Sequence, residues 1–328
     1  MPEYLSSPTH SFTIPSIYDS TQLACRIYLP QQLLIRNDTS QWRVRGAIVA
    51  HPYASLGGCY DDPVVSFIGG ELLEAGYVVG TFNFRGAGGS NGRTSWTAKP
   101  ELGDYVSFYE FMMLYLRCLK LQLGKNPEGS HLILSGYSYG SLIASHLPAS
   151  EVVADLIIDA IQGTPAHEIF LTAKTICTLS RIEIPQSTHS PTPDALGPGQ
   201  EARELLQACG TTISYLLVSP LLPPINLFLT LFLDPSLAVD TQASGQRRQI
   251  PCPKPKGQLC AHKTLAIYGD EDTFTSVTKL RKWSAELRSA PRSQFQSAEV
   301  EGAGHFWSED GVEQQARRAL RLWLRQQP

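Results

Sequence analysis

The chain has 328 residues, of which 42% are hydrophobic and 17% charged, with a formal net charge of -3. So small a charge leaves no electrostatic footprint for nucleic acid, and a chain this long buries a large core without metals or disulfides. The start, "MPEYLSSPTHSF", lacks a basic stretch followed by an apolar core, so the expected location is the cytoplasm, with the seven cysteines as reduced thiols.

In chain order, residues 11 to 30 alternate and carry β-branched side chains, which predicts an antiparallel opening hairpin. "RGAIVAHP" (45 to 52) and "YVVGTFNF" (77 to 84) are short continuous apolar runs, the pattern of strands covered on both faces. Helical spacing lies between them in "VVSFIGGELLEAGY", and a long helix with aromatics on more than one face is predicted from Glu101 to about Leu123. "HLILSG" reads as a third parallel strand, and "SLIASHL" opens a further helix. After the strand "TLAIYG" (264 to 269) come the helical "SVTKLRKWSAEL", a strand around "FQSAEVEG", and a final amphipathic helix from about Val312 to Arg325. Alternating strands and helices predict an α/β fold, a mostly parallel sheet with helices on both faces.

Two stretches break the alternation. Residues 185 to 200, "PQSTHSPTPDALGPGQ", and residues 240 to 257, "DTQASGQRRQIPCPKPKG", read as mobile surface loops. The first lies inside an insertion, 151 to 212, expected to fold over the carboxyl edge of the sheet as a cap; residues 1 to 150 and 213 to 328 form the expected core. The apolar run "YLLVSPLLPPINLFLTLFL" (215 to 233) is long enough to span a bilayer, but Pro220, Pro223 and Pro224 break it. It is expected to be a buried strand, a proline-rich loop and a short helix, with no integral membrane segment. Cys252 and Cys260 are too far apart for a zinc knuckle, and Asn37-Asp38-Thr39 is read as a chance sequon in a cytoplasmic chain.

The chemistry is carried by "SGYSYGSL" (135 to 142). Gly136-Tyr137-Ser138-Tyr139-Gly140 fits G-x-S-x-G, between an apolar strand and a helix. So sharp a turn strains its central residue and crowds the positions two before and two after, which only small residues tolerate. It leaves the serine oxygen at the tip of the sheet, beside a helix start whose free N–H groups hold an anion. A nucleophilic serine needs a base, and the base an orienting acid, expected later in the chain in the order acid, then histidine. "LAIYGDEDTF" and "EVEGAGHFW" supply both just past strand carboxyl ends. Asp272 is the predicted acid, because Asp270, immediately after Gly269, is placed to cap turn backbone. His305 is the predicted base, since of the eight histidines it alone follows a late strand and a pair of glycines.

The stretches "HPYASLGG", "FNFRGAGGSNG", "GYSYGSL", "YGDEDTFTS" and "GAGHFW" together resemble the α/β-hydrolase superfamily. The chain looks most like its serine-aminopeptidase-like and acyl-hydrolase branch, and in texture like standalone fungal members. The family's G-x-x-D after the penultimate strand matches Gly269 to Asp272. The resemblance also implies an oxyanion hole from the Tyr139 amide and a second amide after the "AIVAHP" strand. The family usually has His-Gly there; this chain has His51-Pro52-Tyr53, and Pro52 has no N–H, so the second donor is Tyr53 or Ala54, with Tyr53 the expected one and His51 a structural support.

"RGAGGSNG" fails as a dinucleotide fingerprint, because Asn91 stands where the last glycine is needed; Arg85 is expected to pair with Asp104. No cofactor and no metal are implied. The expected function is hydrolysis of an ester, thioester or amide of a small, lipophilic molecule through an acyl-enzyme, a carboxylic ester first among these. The alternative keeps the same three residues for condensation, cyclisation or a lyase step in small-molecule biosynthesis.

Overall fold

The computed structural model describes residues 4–34, 42–124, 129–158, 160–180, 210–225, 236–240 and 247–328. Its strands are β1 (His10–Pro15), β2 (Gln22–Tyr28), β3 (Arg45–Ala50), β4 (Val78–Phe82), β5 (Ser130–Tyr137), β6 (Thr211–Val218), β7 (Ser236–Asp240), β8 (Arg247–Pro251), β9 (Lys263–Gly269) and β10 (Phe295–Val300). Eight form one sheet in the order β1-β2-β4-β3-β5-β6-β9-β10. β1, β2 and β4 pair antiparallel; every other neighbour is parallel. This is the expected mostly parallel sheet, with the opening hairpin at one edge and a single helical turn, α1 (Gln31–Leu34), after β2.

Both faces are covered, which is why the inner strands read as unbroken apolar runs. In β3, Ile48 and Ala50 point into one core while Ala47 and Val49 point into the other; in β5, Leu132 and Leu134 oppose Ile133. The second face carries α2 (Pro63–Glu74) and the C-terminal helix (Val312–Leu324), clamped together where Arg317 and Arg321 both donate to the buried Glu71 carboxylate. α2 starts cleanly because Asp62 Oδ1 accepts from the Val64 amide at 2.8 Å and Pro63 opens the first turn.

The first face carries α3 (Lys99–Gln122), whose side chains are buried without a break from Pro100 to Leu116. The predicted aromatics on more than one of its faces have a simple origin. The sheet lies on one side, and on the other α5 (Ser150–Ile158) and α6 (Pro165–Leu179), with α6 joined to it where the Tyr115 hydroxyl and Ser180 Oγ lie 2.7 Å apart. α3 sits close to the strands because Gly80 leaves room: a Cβ there would lie 2.8 Å from Phe108 and Met112. At its start, Asp104 takes two hydrogen bonds from the Arg85 side chain, the predicted pair, and Asp19 is a second carboxylate on the same guanidinium.

Part of the expected 240 to 257 loop is ordered structure. β8 pairs antiparallel with β7, and a helix begins at Pro255. Leu237, Val239, Ile250 and Cys252 are buried in the first core, so one face of this two-stranded ribbon is anchored. Basic and proline-rich composition hid a strand whose apolar signal is the single residue Ile250. The expected strand opening the 215 to 233 run is β6; the helix expected in its second half lies mostly outside the described residues, as does the 185 to 200 loop. Among the described residues no helix is long and apolar enough to cross a membrane.

Register gathers the strand ends. Ala50 lies opposite Gly136, Tyr137 opposite Val218, Val218 opposite Ile267, and Gly269 opposite Val300. The segments following β3, β5, β6, β9 and β10 therefore leave the sheet along one edge, where an open parallel sheet collects its functional groups.

Candidate active site

The turn between β5 and the short helix α4 (Tyr139–Ala144) holds Ser138 at φ 53°, ψ −113°. A side chain rarely adopts that left-handed φ, and its ψ is far from the left-handed helical minimum. The flanking glycines are required by contact. A Cβ on Gly136 would lie 2.6 Å from the Ser141 amide nitrogen, and one on Gly140 would lie 2.5 Å from the Ala50 carbonyl oxygen. The turn presses against its own helix and against the end of β3.

The turn brings the Ser138 hydroxyl to the His305 imidazole. Ser138 Oγ is 2.8 Å from His305 Nε2, and His305 Nδ1 is 2.7 Å from Asp272 Oδ2. The second Asp272 oxygen accepts from the amides of Phe274 (2.8 Å) and Thr275 (3.0 Å). All three side chains are buried; His305 is 3% exposed. Burial acts to raise the Asp272 pKa, but the His305 hydrogen bond and charge, with the two amides, outweigh it and hold the carboxyl below its ordinary range. Asp272 is thus an anion facing Nδ1, which fixes the proton there and leaves Nε2 to accept from the serine.

Asp270 lies apart from this chain of bonds. Its Oδ1 accepts from the Gly302 amide at 2.7 Å. It caps backbone, though that of the turn after β10 rather than of its own turn.

The loop carrying His305 is pinned from three sides, by residues that sequence reasoning did not single out. The Tyr137 hydroxyl donates to the His305 carbonyl at 2.7 Å, Trp307 Nε1 donates to Ser219 Oγ at 3.0 Å, and the Gly304 amide donates to Glu309 at 3.1 Å. The Phe274 ring stacks on the His305 imidazole, centroids 4.1 Å apart. No spacing signal exists for a Tyr137–His305 contact across 168 positions; only the elbow's second residue being a tyrosine hinted at it.

His51 is structural. Its Nδ1 meets the Pro52 carbonyl at 2.6 Å, and Nε2 accepts from the Phe84 amide at 2.9 Å. Burial lowers its pKa to about 4, more than the Pro52 carbonyl raises it, so the ring is neutral and ties the 51 to 53 loop to the end of β4. Tyr53 and Tyr139 are neighbours, their rings edge to face at 5.1 Å. Neither backbone amide donates to an acceptor among the described residues. Among those residues no group of His, Cys, Asp and Glu is arranged to hold a metal ion.

A sequence profile described as the alpha/beta hydrolase family matches residues 47–318. The chain belongs to the α/β hydrolase family. Solved α/β hydrolases share its fold at low identity. An alpha-beta serine hydrolase homologue from Coxiella burnetii is 18% identical, with TM-score 0.51, covering 97% of this chain and 98% of its own. A serine hydrolase from Xanthomonas campestris, described as lacking a lid, is 16% identical, with TM-score 0.52 and coverage of 98% and 96%. Est1E from Butyrivibrio proteoclasticus, solved with ferulic acid bound, is 13% identical, with TM-score 0.52 and coverage of 96% and 98%. A comparison with curated proteins found no match.

Proposed function

We propose that this α/β hydrolase is a serine hydrolase that cleaves carboxylic esters of small, lipophilic molecules through an acyl-enzyme. The reading rests on one observation, the continuous chain Ser138 Oγ, His305 Nε2, His305 Nδ1, Asp272 Oδ2 at 2.8 Å and 2.7 Å, set on a strained elbow.

In this mechanism Ser138 Oγ attacks the substrate carbonyl as His305 Nε2 takes its proton. Asp272 keeps the imidazole in the competent tautomer and stabilises the imidazolium that forms. We assign the Tyr53 and Tyr139 amides the oxyanion role, a donor of that kind being worth about 3 kcal/mol in the transition state. His305 returns the proton to the leaving oxygen. Water then attacks the acyl group by the same route, releasing the acid and restoring Ser138. The aromatic residues around the site, Tyr53, Tyr139, Phe274 and Phe306, favour a lipophilic substrate.

An alkyl fluorophosphonate probe, read by peptide mass mapping, tests the assignment. Stoichiometric modification of Ser138, with parallel loss of nitrophenyl ester hydrolysis, is expected. Labelling that persists in Ser138→Ala refutes it.

A further inference from the structure

Two phenylalanines flank the imidazole of His305. If the reaction proposed above is right, the leaving oxygen receives its proton from His305 Nε2 and so comes within roughly 3 Å of that nitrogen. Whatever the oxygen is attached to must lie along the groups that flank the imidazole. Phe274 stacks on one face of the ring, at 4.1 Å between centroids and 28° between planes. Phe306 stands edge-on to the imidazole at 5.6 Å and 88°, and edge-on to Phe274 at 5.8 Å and 84°. The two rings make a right-angled corner beside His305.

They differ in what covers them. Phe274 is half-buried, and its backbone N–H donates a hydrogen bond to Asp272 Oδ1. Phe306 is 63% exposed, although the adjoining His305 is 3% exposed. A lone exposed phenylalanine is ordinary on a protein surface. This one is distinguished by its place, one residue from His305 and edge-on to its ring, with most of its own surface open to solvent.

We propose that Phe306 is the specificity residue for the leaving group. With Phe274 it forms an aromatic platform, so that esters of aryl and arylmethyl alcohols are preferred to esters of saturated alcohols of the same size. This rests on the serine hydrolase reading of the same site. The step is acylation: the Ser138 Oγ–acyl carbon bond forms, the bond from acyl carbon to leaving oxygen breaks, and the serine proton passes through His305 Nε2 to the departing alcohol. The platform acts only while that alcohol is bound, so its influence ends before deacylation.

Benzyl acetate and cyclohexylmethyl acetate isolate the effect, because they share an acyl group and nearly share leaving-group size. The purified full chain is expected to favour the benzyl ester in kcat/KM by roughly 2- to 12-fold, the range of an aromatic pair. Phe306→Ala is expected to bring that ratio to about one, while the ratio between benzyl butyrate and benzyl acetate stays at its wild-type value. Phe306→Tyr, which keeps the ring, is expected to retain the preference. The proposal is overturned if the wild type shows no preference or turns over neither ester, if Phe306→Ala leaves the preference intact, or if that variant shifts the acyl ratio as much as the alcohol ratio. Ser138→Ala separates the two levels. Undiminished hydrolysis by that variant overturns the site itself, whereas its inactivity, together with an unchanged benzyl preference in Phe306→Ala, overturns the platform alone.

Discussion

Ser138→Gly is expected to be more stable than Ser138→Ala, the reverse of the usual ranking of these two residues. Ser138 sits at φ 53°, ψ −113°. Residues with a Cβ in such sparsely populated regions cost on the order of 1–3 kcal/mol, and alanine inherits that cost whereas glycine escapes it. Glycine carries its own penalty of roughly 0.5–1 kcal/mol from greater freedom in the unfolded chain. Both variants lose the 2.8 Å bond to His305 equally, so that term cancels between them. The net advantage of glycine is about 1 kcal/mol, or about 2 °C in midpoint for a chain of this size. Thermal unfolding of the two variants, repeated as urea titrations, measures it. An alanine variant at least as stable as the glycine variant would mean that the elbow stores no strain.

Two further predictions follow from the residues around it. Tyr137→Phe leaves the buried His305 carbonyl without its donor, which costs roughly 1–3 kcal/mol, and it loosens the base; a lower midpoint in denaturant with a fall in kcat is expected, and unchanged kcat would remove Tyr137 from the positioning of His305. His51 titrates near 4 when folded and about 6.5 when unfolded, so the unfolded chain binds the extra proton first. Stability is therefore lost as pH falls from about 6.5 towards about 4, on the order of 3 kcal/mol for this residue, with His131 acting in the same direction. Urea midpoints measured across that window test this, and a flat profile contradicts it.

Much of the fold is legible because burial writes itself into composition. "GAIVA" and "LIL" (132 to 134) lack polar interruptions since each strand faces a core on both sides, and "VEQQARRALRLWL" alternates because its outer face meets water. Ser138, Asp272 and His305 stand out for a different reason. Each follows a strand carboxyl end in a segment marked by glycine, and register brings such ends to one edge. The β7–β8 ribbon was not legible, because only a few apolar side chains anchor it and its basic residues resemble a loop. Nor were Phe274 and the pairing of Trp307 with Ser219. These contacts join segments distant in sequence, where neither periodicity nor spacing leaves a trace. Asp270 shows the same limit: its role as a cap could be read locally, but the amide it caps, on Gly302, belongs to another turn.

The most direct measurement of the central claim is rapid-quench mass spectrometry of the enzyme mixed with excess nitrophenyl butyrate. One butyryl group per chain, carried on the peptide containing Ser138 and formed within the first turnover, is the predicted result. Butyrate release at the wild-type rate from Ser138→Ala, or an acyl group located on another residue, would contradict it.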